Sequence, residues 1–121
     1  MDFSKLTNKI FFDNKFIAAK NANIHVLNHS LHFATAVFEG IRVYNGKSLF
    51  LDDHVSRLFN SSKLMRLNIN ISKNRILEVI KKLIKLNKIE QGYIRPIIFR
   101  SSHSMSPETL NCKTHVVIAC W

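Results

Sequence analysis

The chain has 121 residues, of which 46% are hydrophobic and nine are Phe, and its formal net charge is +10. This length suits one domain with one core, and the apolar content excludes an intrinsically disordered chain. The positive charge fits either a nucleic-acid or anion-binding protein or a bias in codon usage. Because the lysines are scattered along the chain, we favour codon bias and expect no nucleic-acid partner.

The cysteines and the N-terminal segment indicate the compartment. Cys112 and Cys120 are the only cysteines, and on one strand they would lie about 26 Å apart, too far for a disulfide. The segment MDFSKLTNKIFF has no long apolar core, and no run of the chain reaches membrane-spanning length. We therefore expect a cytoplasmic protein with two thiols and no membrane partner.

The first half of the chain predicts mainly strands. KIFFDNKFIAA contains two short strands joined by a turn at residues 13–15, and NANIHVLNHSLHF is a loop that enters a short helical turn near His29. An opening strand spans residues 36–44. Asn45-Gly46 is a strong signal for a two-residue hairpin turn, and KSLFL is the return strand.

Two consecutive helices follow. Asp52 and Asp53 are expected to cap the first helix, and Ser72 the second. Apolar residues recur at helical spacing in both: Leu51, Val55, Leu58, Phe59 and Met65 in the first, and Ile76, Ile80, Leu83 and Ile84 in the second.

The last part of the chain returns to strands. YIRPIIF is a strand in which Pro96 predicts an edge position or a bulge. RSSHSMSPETLNCK is a polar loop, and THVVIACW is the final strand. This order predicts an α+β fold, with a mostly antiparallel sheet and the two consecutive helices packed on one side of it.

The opening strand has two different faces. Period-two alternation puts Val37, Glu39, Ile41 and Val43 on one face, which is a core face that contains one acid. The other face has two aromatic rings, a gap and a guanidinium: Phe38, Gly40, Arg42 and Tyr44. This second pattern suits the wall of a pocket that holds something flat and something anionic.

The strand YIRPIIF repeats this pattern, because Tyr93 and Arg95 share a face with Ile97 and Phe99. A guanidinium fits a carboxylate with two parallel hydrogen bonds. If the two strands are neighbours, three aromatic residues would wall one pocket, with Arg42 and Arg95 as anion anchors. The alternative is that each arginine extends to solvent or pairs with an acid such as Glu39.

Two further groups of residues leave alternatives open. Arg57 lies beside the apolar stripe of the first helix, where it could reach an anion at the sheet edge or pair with Asp53 one turn earlier. His25, His29 and His32 have spacings that zinc could use, but no HExxH pattern is present, so we expect no metal site. No phosphate-binding glycine loop and no Ser/His/Asp pattern occurs.

One long block of sequence carries a resemblance to a known family. HVLNHSLHFATAVFEGIRVYNGKSLFLDDHVSRL, followed by YIRPIIFR, closely resembles the N-terminal domain of branched-chain amino acid aminotransferases. These are fold-type IV enzymes that use pyridoxal 5′-phosphate (PLP). The likeness spans essentially the whole chain, and FRSSHSMS looks more like the bacterial branched-chain enzymes than like D-amino acid aminotransferases or aminodeoxychorismate lyases.

The resemblance implies roles for matching positions. Arg57 corresponds to the arginine that holds the PLP phosphate. The implied substrate-binding residues are Phe33, Phe38, Gly40, Arg42, Tyr93 and Arg95. Among them, Phe38 belongs to the hydrophobic pocket, Tyr93 lies near the α-carboxylate, and Arg95 receives the second carboxylate of glutamate. Phe33 stands where the family usually has Tyr, so the pocket loses one hydroxyl.

The resemblance also implies what this chain lacks. Residues 1–121 would form a single N-terminal small domain, whereas the lysine that forms the Schiff base with PLP belongs to a C-terminal domain. We therefore expect no catalytic residue and no covalently bound PLP in this chain, which would be inactive alone as a truncated or split product. In the intact enzyme, PLP-dependent transfer would move the amino group of leucine, isoleucine or valine to 2-oxoglutarate.

The expected partners follow from the same resemblance. They are a second copy of the chain in a homo-oligomer, a separately encoded C-terminal domain, and the amino acid and 2-oxo acid substrates. The alternative is a non-catalytic remnant domain that serves interaction, oligomerisation or anion binding.

Overall fold

A computed structural model describes residues 8–101, 105–107 and 112–121, so part of the predicted polar loop lies outside the described residues. The strands are β1 (Lys9–Phe12), β2 (Lys15–Ala18), β3 (Ala36–Phe38), β4 (Ile41–Tyr44), β5 (Lys47–Ser48), β6 (Gln91–Arg100) and β7 (Thr114–Cys120). The helices are α1 (His29–Phe33), α2 (Leu51–Leu64) and α3 (Lys73–Leu86), with a 3₁₀ turn at Ala19–Asn21.

The strands form one sheet in the order β2-β1-β7-β6-β4-β5, and β3 also pairs with β6. Every strand pair in the described residues is antiparallel. Helices α2 and α3 pack against each other and against the sheet, and their buried side chains join those of the strands in one apolar cluster. The predicted α+β fold, with two consecutive helices on an antiparallel sheet, is confirmed. No helix in the described residues has the length and apolarity needed to cross a membrane.

Pro96 lies in a strand with neighbours on both sides, which contradicts the predicted edge or bulge. β6 pairs with β7 on one side and with β3 and β4 on the other. The pairs Phe38–Ile97 and Ile41–Ile94 share one register, so neither strand contains an extra residue. Glu39 N–H donates to the Pro96 carbonyl at 3.0 Å, but proline has no N–H to donate in return. The predicted strand 36–44 is therefore divided into β3 and β4 at the proline.

The predicted caps differ in outcome. Ser72 caps α3, since its hydroxyl accepts a hydrogen bond from the Arg75 N–H at 3.1 Å. α2 begins earlier than predicted, after Phe50, and has no side-chain cap. Asp52 and Asp53 lie in its first turn instead, where their negative charges favour the positive end of the helix dipole.

The apolar stripes of the helices are largely as predicted. In α3, the buried residues are Ile76, Val79, Ile80, Leu83 and Ile84. In α2, Leu51, Val55 and Leu58 are buried, but Met65 lies beyond the end of the helix and is exposed. The buried position in the last turn of α2 belongs to Ser62, whose hydroxyl donates to the Phe59 carbonyl.

Candidate functional site

The open face of the sheet, which is the face away from α2 and α3, brings the predicted pocket residues together. The register of β4 and β6 places Arg42 opposite Tyr93 and, by continuation, Gly40 opposite Arg95. The pairing of β3 and β6 places Phe38 opposite Ile97. The strands with the repeated pattern are therefore neighbours.

Gly40 leaves space that the Tyr93 ring occupies. A Cβ atom at position 40 would overlap the Tyr93 hydroxyl and would lie 2.7 Å from Cζ of that ring. Across the next strand pair, Tyr93 packs against Trp121 with ring centroids 5.5 Å apart. The absence of a side chain at Gly40 thus leaves room for the hydroxyl end of the Tyr93 ring next to the backbone between β3 and β4.

Arg95 lies among these aromatic rings with much of its donor capacity unused. Its guanidinium carbon is 4.3 Å from the centre of the Phe38 ring and 5.5 Å from that of Tyr93. Nη2 donates to the Tyr93 hydroxyl over a long 3.4 Å. Within the described residues, the buried Nε of Arg95 has no hydrogen-bond partner. A carboxylate placed here would satisfy donors that the protein itself does not satisfy.

Arg42 and Phe33 lie less centrally. Arg42 is exposed, with its guanidinium carbon 5.2 Å from the centre of the Tyr44 ring. Phe33 lies in α1, outside the strands that carry the other residues, and its ring packs against His29 at 4.5 Å.

Arg57 makes a fork of two hydrogen bonds to Glu39, a residue of the opposite face. Its Nε donates to Oε1 and its Nη2 to Oε2, both at 2.6 Å. His54, one turn earlier on α2, lies with Nδ1 2.8 Å from the same Oε2. Two predicted ion pairs were therefore wrong. Arg57 pairs with Glu39 and not with Asp53, and Glu39 is not the partner of Arg42 or Arg95.

The pKa of the Glu39 carboxyl is lowered by its two partners on α2. The hydrogen bond from Arg57 lowers the pKa of the Glu39 carboxyl, and His54 adds to this lowering, while burial of the side chain works against it. The same pair raises the pKa of Arg57. Glu39 is thus an ionised carboxylate held by two partners on α2. Its place on the core face, and the three-residue spacing of His54 and Arg57, were the signals in the sequence.

Arg57 borders an open hollow of about 290 Å³ that is lined by Phe50, Asp53, His54 and Arg57. The hollow presents the Arg57 cation and the imidazole ring of His54 beside an aromatic side chain, and Asp53 brings one carboxylate. The guanidinium of Arg57 is the kind of group that could hold the phosphate of a cofactor such as PLP.

The histidines make separate local contacts. His29 lies between the Thr35 hydroxyl and the Ser106 carbonyl. His25 accepts a hydrogen bond from the Leu27 N–H, and His32 contacts the Val26 carbonyl. Among the described residues, no group of three His, Cys, Asp or Glu side chains could hold a metal ion.

Known proteins share this sequence and fold. The branched-chain-amino-acid aminotransferase of Pseudomonas aeruginosa is 37% identical over 116 residues, which are 93% of this chain and 38% of that protein. The Escherichia coli enzyme is 32% identical over 123 residues, 98% of this chain and 40% of the relative. The chain therefore spans about two fifths of the length of the curated relatives that it matches.

Solved structures agree. The branched-chain amino acid aminotransferase of Escherichia coli superposes with a TM-score of 0.89 at 31% identity, covering 95% of this chain and 40% of that one. The T.th. enzyme, complexed with N-(5′-phosphopyridoxyl)-L-glutamate, has a TM-score of 0.89 at 32% identity, with 95% and 41% covered. A family model described as amino-transferase class IV matches residues 36–120. Since this match covers more than half of the chain, the chain belongs to the amino-transferase class IV family.

Proposed function

We propose that this chain is the N-terminal domain of a PLP-dependent branched-chain aminotransferase, whose other domain supplies the lysine that binds the cofactor. The observation that carries the proposal is the arrangement at Arg95. Its guanidinium lies between two aromatic rings, with a buried Nε that has no partner among the described residues. Such a group suits a site that accepts an apolar side chain at one time and a carboxylate at another.

The proposed substrate roles follow from this arrangement. Arg95 binds the second carboxylate of glutamate or 2-oxoglutarate, and the Tyr93 hydroxyl lies near the α-carboxylate. Phe38 contacts the aliphatic side chain of leucine, isoleucine or valine. Gly40 leaves room for the Tyr93 ring, and Arg42 adds positive charge at the rim. The T.th. relative has been solved with 4-methylvaleric acid, a branched aliphatic carboxylate.

Phe33 marks the departure from the family pattern. Since Phe has no hydroxyl, the proposed pocket has one hydrogen-bond donor fewer than the family's, which weakens the binding of dicarboxylates more than that of leucine. We therefore propose Phe33 as a residue that shifts preference towards aliphatic substrates.

The proposed cofactor site in this chain is confined to Arg57. Its guanidinium holds the phosphate of PLP at the hollow beside His54, through hydrogen bonds of charged groups. When bound, PLP acts as the electron sink of transamination. The residues of this chain bind and orient, since none matches the lysine that attaches the cofactor.

Activity with and without a second domain tests the proposal. The purified chain with PLP, leucine and 2-oxoglutarate should show no turnover. Addition of the remaining part of the Pseudomonas aeruginosa relative, about three fifths of its length, should restore turnover with the parent chain and much less with Arg95→Ala. Turnover by the chain alone, or equal turnover with Arg95→Ala, would contradict the proposal.

A second candidate is an interaction domain that associates with itself. Large apolar side chains are exposed along the segment that leads into β3 and at the end of β3 itself: Ile24, Val26, Leu27, Leu31, Phe33 and Phe38. Exposed apolar patches promote association, so we propose a homodimer or higher oligomer at micromolar concentration. Light scattering checks this, and a monomer at that concentration would argue against it. The cytoplasmic location stays a prediction.

A further inference from the structure

Glu39 is a carboxylate on the apolar face of the sheet. Only 3% of its side chain is exposed. Burial of an ionised carboxylate is unfavourable unless its oxygens are hydrogen-bonded. Here both oxygens have partners, two from Arg57 and one from His54. An apolar residue at this position would avoid the desolvation altogether, so the carboxylate has a purpose other than packing.

The donors of Arg57 are divided between the protein and solvent. Of the five N–H groups of a guanidinium, two donate to Glu39 through Nε and Nη2. Three remain, on Nη1 and on the outer side of Nη2, and in the described residues they have no partner. With 67% of the Arg57 side chain exposed, these donors are accessible at the hollow shared with His54.

The two hydrogen bonds to Glu39 also fix the orientation of the Arg57 guanidinium. An exposed arginine has many rotamers, and a bound anion would have to select one of them at an entropic cost. The fork to Glu39 holds the guanidinium plane before an anion arrives. His54 in turn contacts Oε2 at 2.8 Å, so the carboxylate that holds Arg57 is itself held against rotation.

We infer that Glu39, oriented by His54, is a positioning residue that presets the outer edge of Arg57 to receive a phosphate group. The inference rests on the proposed function, because it takes Arg57 as the phosphate anchor. It adds that an acid on the far side of the guanidinium from the anion improves anion binding.

The positioning role and a purely electrostatic role predict opposite changes in phosphate affinity when Glu39 is replaced by Gln. Glu39→Gln removes a negative charge near the site, so Coulomb attraction alone would make phosphate bind more tightly. An amide also cannot accept both hydrogen bonds of the guanidinium fork, because its NH₂ group is a donor. If Glu39 acts by positioning, the loosened Arg57 makes phosphate bind more weakly.

Titration of the full chain with inorganic phosphate, followed by NMR, distinguishes these outcomes. The parent chain should bind with millimolar affinity, and Glu39→Gln should weaken binding about threefold to tenfold, as expected from the added cost of ordering one arginine. Glu78→Gln is the matched control, because Glu78 also pairs with an arginine, Arg75, but on an exposed surface. It should leave phosphate affinity unchanged.

The phosphate affinities of the Glu39 and Arg57 variants separate the positioning role from the anchor role. If Glu39→Gln binds phosphate as tightly as the parent or more tightly, while Arg57→Ala loses binding, the positioning role is wrong and the phosphate anchor stands. If Arg57→Ala binds as well as the parent, the proposed anchor itself fails.

A measurement on the parent chain covers the case in which Glu39→Gln does not fold. The Arg57 Nε–H is engaged by a buried carboxylate at 2.6 Å, so its proton should exchange slowly with water even without phosphate. The reference is Arg75, whose pairing with Glu78 is exposed and uses Nη1. If the Nε–H of Arg57 exchanges as fast as that of Arg75, the guanidinium is not preset and the inference is overturned.

Discussion

The two faces of the sheet are made by the same strands but differ in chemistry. On the face covered by α2 and α3, alternate residues of β4 and β6 are buried aliphatics such as Ile41, Val43 and Ile94. On the open face, the residues between them are Arg42, Tyr93 and Arg95, and the Arg95 guanidinium lies over the rings of Phe38 and Tyr93. One face therefore forms the apolar core, and the other carries polar and aromatic side chains that are at least partly exposed at these positions.

Glu39 is the exception that connects the two faces. It lies in the covered set, but its carboxylate reaches Arg57 and His54 at the margin of α2. A polar group on a core face is informative because it needs partners to be tolerated. Among the described residues, the guanidinium nitrogen of Arg95 that lacks a partner lies on the open face, and the exposed Arg57 lies where the covered face meets solvent.

The largest expected effect separates two adjacent isoleucines of β6. Ile98 is fully buried on the covered face, whereas Ile97 is half-buried on the open face. Ile98→Ala should lower the free energy of unfolding by about 2–5 kcal/mol, because it leaves a cavity in the core. Ile97→Ala should cost about 1 kcal/mol. Urea unfolding of both variants checks this, and equal losses would show that the faces do not differ in stability.

Gly40→Ala should have the next largest effect. The new Cβ would overlap the Tyr93 hydroxyl, so the ring must move. Overpacking of this kind typically costs about 1–3 kcal/mol, and we expect the lower end because a side chain can swing away. In a Tyr93→Ala background the cost should fall. A double-mutant cycle by urea unfolding measures the difference, and additive effects would refute the contact.

The sequence was sufficient to assign these side chains to the two faces of their strands, but not to identify the partners of the charged groups. Alternation placed Phe38, Gly40 and Arg42 together, and the repeated pattern at Tyr93 and Arg95 predicted a shared pocket, because side chains alternate strictly along a strand. The strand pairing was an assumption at that point, since register depends on contacts far apart in sequence.

The partner of Arg57 could not be chosen from local spacing. Helical periodicity offered Asp53, whereas Glu39 lies 18 residues away and comes near only when α2 packs on the sheet. The prediction from Pro96 was wrong for a related reason. Its missing N–H predicted an edge strand, but a neighbouring strand in continuous register can tolerate one absent hydrogen bond. In both cases tertiary packing decided between local options.

Acid should weaken the covered face through Glu39. Arg57 lowers the pKa of this carboxyl in the folded chain, so the unfolded chain binds more protons in acid. The stabilisation is fully present above the ordinary value of 4.5 and is lost as the pH falls through the lower, folded value. Glu39→Gln should have a lower free energy of unfolding than the parent at neutral pH. On acidification, this free energy should fall less in the variant than in the parent. Urea unfolding of both chains at neutral pH and below 4.5 checks this. If the free energy of unfolding fell by the same amount in both chains between these pH values, the prediction would be wrong.

The smallest effect should come from Arg42→Ala on the open face. Arg42 is exposed, and its described side-chain contact is with the Tyr44 ring, at 5.2 Å. Exposed cation–π contacts contribute about 0.5–1 kcal/mol, so the free energy of unfolding should fall by no more than this. Arg42→Lys should fall between the parent and Arg42→Ala, since the charge stays but the flat guanidinium is lost.

The measurement for Arg42 is urea unfolding, combined with NMR shifts of the Tyr44 ring to confirm that the contact is lost. Ile98→Ala, measured alongside, sets the scale of the covered face. If Arg42→Ala destabilised the chain as much as Ile98→Ala, the open face would carry part of the folding free energy. Arg42 would then contribute to folding, which would contradict its proposed place as an exposed cation at the rim of a pocket.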